Sequence, residues 1–194
     1  MKKIILILSF ILTTVVACSS TPKATTPENT SGFNTQLNLP DGVRVRETPR
    51  GKVLELYDPK AKSDVGKQTG IYEVKFQFDK AVEIGEYKQA YNLVYTIIDN
   101  NPEIRIMVEG NSSKEGKAPY NYNLSVRRAD TSYNYLIKLG TKNNRLLKNA
   151  FGEGLPEYPT LEANRRTEFI VIMNEADLKK YNDFAKTVDV NKEN

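Results

Sequence analysis

The spacing of apolar and polar residues changes period several times along the 194-residue chain, and each change marks an element. Ile71-Tyr72-Glu73-Val74-Lys75-Phe76-Gln77-Phe78 alternates with period two and predicts a half-buried strand. Glu83–Asn100 shifts to helical spacing, with Tyr87, Tyr91, Val94, Ile97 and Ile98 on one face and Pro102 marking its end. Glu103–Glu109 returns to strand. Asn121–Gly140 predicts a second helix that turns Ala129, Tyr133, Leu136 and Ile137 inward, with Gly140 just past its end. The pattern leaves Asn144–Phe151 ambiguous, and Glu168–Met173 reads as a last apolar strand. Upstream, Val43, Val45, Val53, Leu54 and Leu56 flank Thr48-Pro49-Arg50-Gly51, which predicts a hairpin of Gly42–Glu47 and Lys52–Tyr57 followed by a loop over Asp58–Gly70. Downstream, Leu178, Tyr181, Ala185 and Val188 share a helical face, with Asn174 and Asp177 placed to cap a helix that packs back on the domain. No internal repeat is visible. Strand–helix–strand–helix with two later strands gives an α/β class, a mixed sheet with helices on one face.

The first residues stand apart from this pattern. Met1-Lys2-Lys3 is a basic start, and Ile4–Val16 is an apolar run too short to span a bilayer comfortably, so residues 1–17 read as a signal peptide. The run ends in Val15-Val16-Ala17-Cys18, similar to a bacterial lipobox, whose cysteine becomes the lipidated N-terminus. Cys18 is the only cysteine, so an intramolecular disulfide is excluded and lipidation gives the thiol a role. Acyl chains such as palmitate anchor firmly because each buried methylene adds roughly 0.8 kcal/mol. Ser19 stands where an Asp would retain such a lipoprotein at the inner membrane, which implies the outer membrane. Ser, Thr, Pro and Asn dominate as far as Gly32, so residues 18–32 read as a flexible tether, followed by the hairpin extension over 33–70, a core domain over 71–174 and the C-terminal helix within 175–194.

Charge and composition then narrow the chemistry. The net charge of +4 falls to about +2 once Lys2 and Lys3 are removed, and no basic run with interleaved aromatics occurs, so nucleic acid is not an expected partner. The chain has no histidine, which excludes Ser-His-Asp, Cys-His and histidine-ligated metal sites. No Gly-x-x-x-x-Gly-Lys-Ser/Thr phosphate loop is present. Carboxylates are plentiful, but their spacing suggests no paired-carboxylate hydrolase. The expectation is a non-enzyme without cofactor or metal.

One stretch carries a specific signature. Ile104–Gly110 ends in a polar loop, and Asn121, Leu124-Ser125 and Arg128-Ala129 follow at fixed spacing. Asn164-Arg165-Arg166 opens the last strand, and Phe76-Gln77-Phe78-Asp79 ends the first. Together these motifs resemble the OmpA-like domain, the family that includes Pal and MotB, over roughly Ile71–Met173. The resemblance implies a βαβαβ sandwich that binds the stem peptide of peptidoglycan from the periplasm. It assigns the diamino-acid carboxylate to Arg128, which a planar guanidinium can hold bidentately. It places Asn121, Leu124, Ser125, Gly110, Phe78 and Asp79 at the pocket and Arg165 at its flank, with Arg166 pointing to the other sheet face. On residue type alone Leu124, Ala129 and Leu136 also read as core, Gly110 as a turn residue and Arg165 as an ion-pair partner. The chain departs from the family at Gly110-Asn111-Ser112-Ser113, where the family has Gly-His-Thr-Asp. Ser113 replaces the Asp that receives the ammonium of diaminopimelate. Three readings follow: a different diamino acid, a carboxylate supplied by Glu109 or Glu115, or a degenerate site on a domain that binds protein. In the last case the chain would be a subunit of an envelope complex, docking through its hairpin and C-terminal helix.

Overall fold

The computed structural model describes residues 36–61 and 70–191. The signal peptide, Cys18, the tether and most of the loop after the hairpin therefore lie outside the described residues. Residues 35–194 form one compact unit. Its elements are β1 (Val43–Thr48), β2 (Gly51–Leu56), β3 (Val74–Phe76), β4 (Glu83–Ile84), α1 (Tyr87–Asn100), β5 (Arg105–Gly110), α2 (Ala118–Lys138), β6 (Leu146–Ala150), α3 (Leu161–Asn164), β7 (Arg166–Ile172) and α4 (Glu175–Ala185). No helix among the described residues is long and apolar enough to cross a membrane.

β7 is the axis of the sheet. It runs antiparallel to β5 along its whole length, from Arg105↔Ile172 to Gly110↔Thr167. Its other edge is shared: β2 takes Val171 and Ile170, and β3 takes Thr167 and Arg166. β6 lies parallel to β5 beyond it, joined by α2 as a crossover. The ambiguous stretch is thus a strand, preceded by one 3-10 turn at Asn143–Arg145. Alternation along β5 and β7 sorts the two layers. Ile106, Val108, Phe169 and Val171 pack with Tyr91, Val94, Ile97 and Leu136 of α1 and α2. Met107, Ile170 and Ile172 face the opposite way, against Tyr181 of α4. The two domain helices share one face, as expected, and the C-terminal helix covers the other. Asn174 caps α4 by accepting the Asp177 amide, as its sequence position predicts.

Several boundaries differ from the sequence expectation, each for a local reason. Only the middle of the Ile71–Phe78 strand pairs with β7, through Val74 and Lys75. Ile71 and Tyr72 turn to the hairpin instead, where Tyr72 N donates to Leu56 O at 2.8 Å and Ile71 bridges Tyr57. The first helix begins at Tyr87 rather than Glu83. Gly85 at φ 71° interrupts a right-handed run, and Glu83–Ile84 pairs with Lys75–Phe76 as β4. The second helix starts three residues early, at Ala118, because Pro119 fits a first turn where no amide partner is needed.

The hairpin is fixed by charge as much as by its short ladder to β7. Glu109 and Glu168 face each other across β5 and β7, a like-charge pairing that costs stability unless a cation intervenes. Arg50, at the hairpin turn and fully buried, lies between them: its Nε is 3.1 Å from Glu109 Oε2 and its Nη2 donates to Glu168 Oε2 at 2.9 Å. It also pairs with Glu157, and Arg166 joins the cluster through Glu168 at 2.6 Å and Glu157 at 3.2 Å. From the far side, Tyr181 Oη of α4 donates to Glu109 Oε2 at 3.0 Å. Arg166 does point away from Arg165's side of the sheet. Burial pushes the Glu109 carboxyl up to about 7 despite the opposing charge of Arg50. Where β2 and β7 diverge beyond Val53, a cavity of about 180 Å³ opens over Leu54, Leu56, Val74 and Phe169.

Candidate functional site

Arg128 occupies an inward position of α2. The buried residues of that helix include Asn121, Leu124, Ser125, Arg128, Ala129, Ser132 and Leu136, so helical spacing carries the guanidinium under the surface. There it reaches two loops at once. Its Nε donates to Lys80 O at 3.1 Å, Nη2 to Gln77 O at 3.2 Å and Nη1 to Asn111 O at 3.0 Å. The Phe76 ring lies 5.3 Å away. No carboxylate among the described residues forms a salt bridge with it, and a guanidinium has five N–H donors, so some remain for a ligand. Burial lowers its pKa to about 10, helped by Arg165 and Arg127 and opposed by Asp79, so it stays cationic at neutral pH.

The rim is aromatic and charged. Phe78 is 59 % exposed, with the Arg165 guanidinium 5.9 Å above its ring. Tyr120 Oη donates to Asp79, whose backbone is held in the left-handed region at φ 57°. Arg127 sits 5.9 Å over the Tyr120 ring. Ser113 is buried and its Oγ donates to Glu115 Oε2 at 2.8 Å; the same carboxylate oxygen is 3.4 Å from Arg165 Nη1.

A second set of motif residues builds the frame. The Asn121 amide donates to Glu153. Ser125 Oγ accepts the Gly152 amide at 2.9 Å and donates to Tyr122 O at 2.7 Å, while Ser112 N donates to Gly152 O at 2.7 Å. A Cβ on Gly110 would stand 2.0 Å from Ser125 O, so only glycine lets α2 lie this close to β5. Leu124 is buried beside them. Asp79 and Arg165 therefore lie near Arg128, Phe78 lies under Arg165, and Ser113 joins them through Glu115. Asn121, Leu124, Ser125 and Gly110 set the seat of the helix that delivers Arg128, and Gly110 is a packing point, not only a turn.

One expectation changes. Glu109 does not supply a carboxylate to this site: it belongs to the Arg50 cluster on the opposite face, because Gly110 and Glu109 alternate across the strand. Glu115 does stand at Ser113. Sequence reasoning missed Tyr120 and Arg127, although their seven-residue separation puts them on one helical face. It also missed the carbonyls of Gln77, Lys80 and Asn111, which carry no side-chain signature.

A mixed sheet with this arginine cradle defines a recognisable class. Residues 76–168, a little under half of the chain, match the OmpA family. The particular relatives are envelope proteins. The chain is 35 % identical over 83 residues to the peptidoglycan-associated lipoprotein of Haemophilus influenzae, covering 43 % of this chain and 54 % of that protein. It is 30 % identical over 100 residues to the protein of the same name from Legionella pneumophila, covering 49 % and 57 %. The chain thus aligns with about half the length of these curated relatives. The periplasmic domain of Helicobacter pylori MotB has the same fold, with a TM-score of 0.52 at 18 % identity over 75 % of this chain and 88 % of that one. Arg50 and α4 lie outside the family match.

Proposed function

We propose that this protein is a non-catalytic outer-membrane lipoprotein whose domain faces the periplasm and binds peptidoglycan non-covalently, with Arg128 holding the carboxylate of the stem-peptide diamino acid. The observation that carries this reading is the contrast between two fully buried arginines. Arg50 is surrounded by Glu109, Glu157 and Glu168, and their pull outweighs the lowering effect of burial, so its pKa rises. Arg128 hydrogen-bonds to carbonyls and forms no salt bridge among the described residues, and burial lowers its pKa although Asp79 pulls the other way. A buried cation without a directly paired carboxylate is costly, and an incoming carboxylate offsets that cost. Arg145 also bonds only to carbonyls, but it is half-buried and closes the C-terminal end of α1 through Ile98 and Asn101. The names of the curated relatives, peptidoglycan-associated lipoproteins, support the same ligand. Anchoring would run through Cys18 and the tether.

The alternative of a protein-docking subunit loses weight because hairpin and α4 are fastened into the domain by the Arg50 cluster and Tyr181. The test is co-sedimentation of detergent-solubilised protein with purified sacculi. Arg128→Ala frees three carbonyls as well as the site, so it is paired with Arg128→Lys, which keeps the charge but loses the planar fork. Folding of each variant is verified by circular dichroism. Wild type should pellet and both variants bind at least about tenfold more weakly, matching the loss of a charge-assisted bidentate contact. Folded variants that pellet like wild type would overturn the reading.

A further inference from the structure

We infer that Tyr181 of α4 is a positioning residue for Arg128, acting through Glu109 and Asn111, so that the C-terminal helix sets how the binding arginine is held. This rests on the reading proposed above, in which Arg128 is the binding group, and adds what fixes its place from the far side of the sheet. Asn111 is where the two sides meet. It follows Gly110 at the end of β5, so its side chain returns to the face of Glu109, two residues earlier, while its carbonyl reaches Arg128. Asn111 Nδ2 donates to Glu109 Oε1 at 3.3 Å and stands 3.5 Å from Glu109 O, and Asn111 O accepts from Arg128 Nη1 at 3.0 Å. Nothing else among the described residues holds that side chain: Asn111 is fully buried and its Oδ1 has no hydrogen-bond partner.

The other oxygen of Glu109 faces α4 and the hairpin. Tyr181 Oη donates to Glu109 Oε2 at 3.0 Å, and Arg50 Nε lies 3.1 Å from the same atom. Tyr181 is itself fixed, since its Oη accepts from Asn149 Nδ2 of β6 at 3.1 Å. The path from α4 to Arg128 thus runs Tyr181–Glu109–Asn111–Arg128, one hydrogen bond per step. Glu109 gives that path two settings. The groups that face it are Arg50 from the hairpin turn, Glu168 and Arg166 from β7, Tyr181 from α4 and Asn111 after β5, with Glu157 beyond them on Arg50 and Arg166. Burial, joined by the charge of Glu168, pushes the Glu109 carboxyl up to about 7 against the pull of Arg50 and Arg166. Ionised, it accepts the Asn111 amide in a charge-assisted bond, about twice as strong as a neutral one. Protonation loosens Asn111 and with it the carbonyl that seats Nη1 of Arg128. By donating to the carboxylate, Tyr181 favours the ionised setting. The chain has no histidine, so no imidazole titrates in the same range.

The Nε–H resonance of Arg128 in the isotope-labelled, detergent-solubilised full chain, assigned by its loss in Arg128→Lys, reads the seat of the guanidinium without any ligand. Across about pH 5–8 it should move in one step with its midpoint near 7. Glu109→Gln and Asn111→Ala should each abolish the step, the first by removing the titration, the second by cutting the path while leaving the backbone carbonyl of residue 111. Tyr181→Phe keeps the ring against Phe151 and removes only the hydroxyl, so it should move the midpoint to higher pH. A purely structural Tyr181 would change stability and leave that midpoint where it was. Sacculus binding should follow the same step and be stronger above it. A resonance that stays flat in wild type, a step that survives Asn111→Ala, or a midpoint unmoved by Tyr181→Phe overturns the inference, whatever the sacculi show. Sacculus binding that ignores the step overturns the positioning role as well. A step of the expected kind without sacculus binding at any pH overturns the proposed function alone.

Discussion

A methyl group at position 110 would meet the carbonyl of Ser125 at 2.0 Å and the Ala129 amide at 3.0 Å, both backbone atoms that cannot rotate aside. Gly110→Ala must therefore lift α2 from β5. We expect it to destabilise the domain by about 3 kcal/mol or more, above the usual range for one added methyl in a core, because the clash is with backbone. Urea unfolding would measure the loss, and the same variant should bind sacculi more weakly at temperatures where it is folded, since Arg128 rides on the displaced helix. The residue scale is also where the sequence was most and least informative. Arg128 could be picked out because Asn121, Leu124, Ser125 and Ala129 surround it at recognisable spacing. The carbonyls that cradle it could not, because every residue has one and only the β3–β4 turn decides that Gln77 and Lys80 point theirs inward. Glu109 and Glu115 looked interchangeable as replacements for the missing Asp until strand alternation sent Glu109 to Arg50 and the loop after β5 carried Glu115 to Ser113.

At the scale of elements, the periodicity of the chain located β1, β2, β3, β5 and β7 and the helices α1, α2 and α4 to within a few residues, and left β6 ambiguous. It misjudged the places where tertiary partners compete. The first two residues of the predicted first strand, Ile71 and Tyr72, left β7 for the hairpin, and the predicted start of the first helix became β4. Thr48-Pro49-Arg50-Gly51 read as turn chemistry alone, which hid the role of Arg50, since no local pattern announces a partner more than fifty residues away. Arg50→Ala should cost about 3–5 kcal/mol by leaving buried carboxylates unpaired, and the loss should appear as a single shift in the urea midpoint, because hairpin, β7 and α4 share the cluster. Glu109 adds a pH dependence of definite sign. Burial raises its carboxyl from the ordinary value of 4.5 to about 7, so the folded state holds the proton more firmly than the unfolded chain. Its contribution is full below about pH 4.5 and is lost as pH rises through about 7. Glu109→Gln should flatten that slope in urea midpoints measured across the range. An unchanged slope would show that another group sets it.

The whole molecule, on the proposed reading, has an anchor at one end and a grip at the other. Cys18→Ser should abolish incorporation of labelled palmitate and release the protein from membranes into the soluble envelope fraction, with sacculus binding by the folded domain unchanged. Equal labelling of variant and wild type would remove the anchor from the proposal.

Such an arrangement carries mechanical load, and the place where force would enter the folded unit is already described by two hydrogen bonds. Asn38 N donates to Asn101 Oδ1 at 2.7 Å, and Asn101 Nδ2 returns a bond to Asn38 O at 3.0 Å. Asn101 is itself tied to Ile97 O, and its own carbonyl is held by Arg145, which also grips Ile98 and Ile104. Tension arriving from the tether side would pass at Asn38 into the end of α1 before it reached β1. Without that clamp the pull would peel the hairpin open one backbone bond at a time, the weakest way to load a sheet. With it, several bonds at the end of α1 must yield together, and the strand pair behind them is spared until they do.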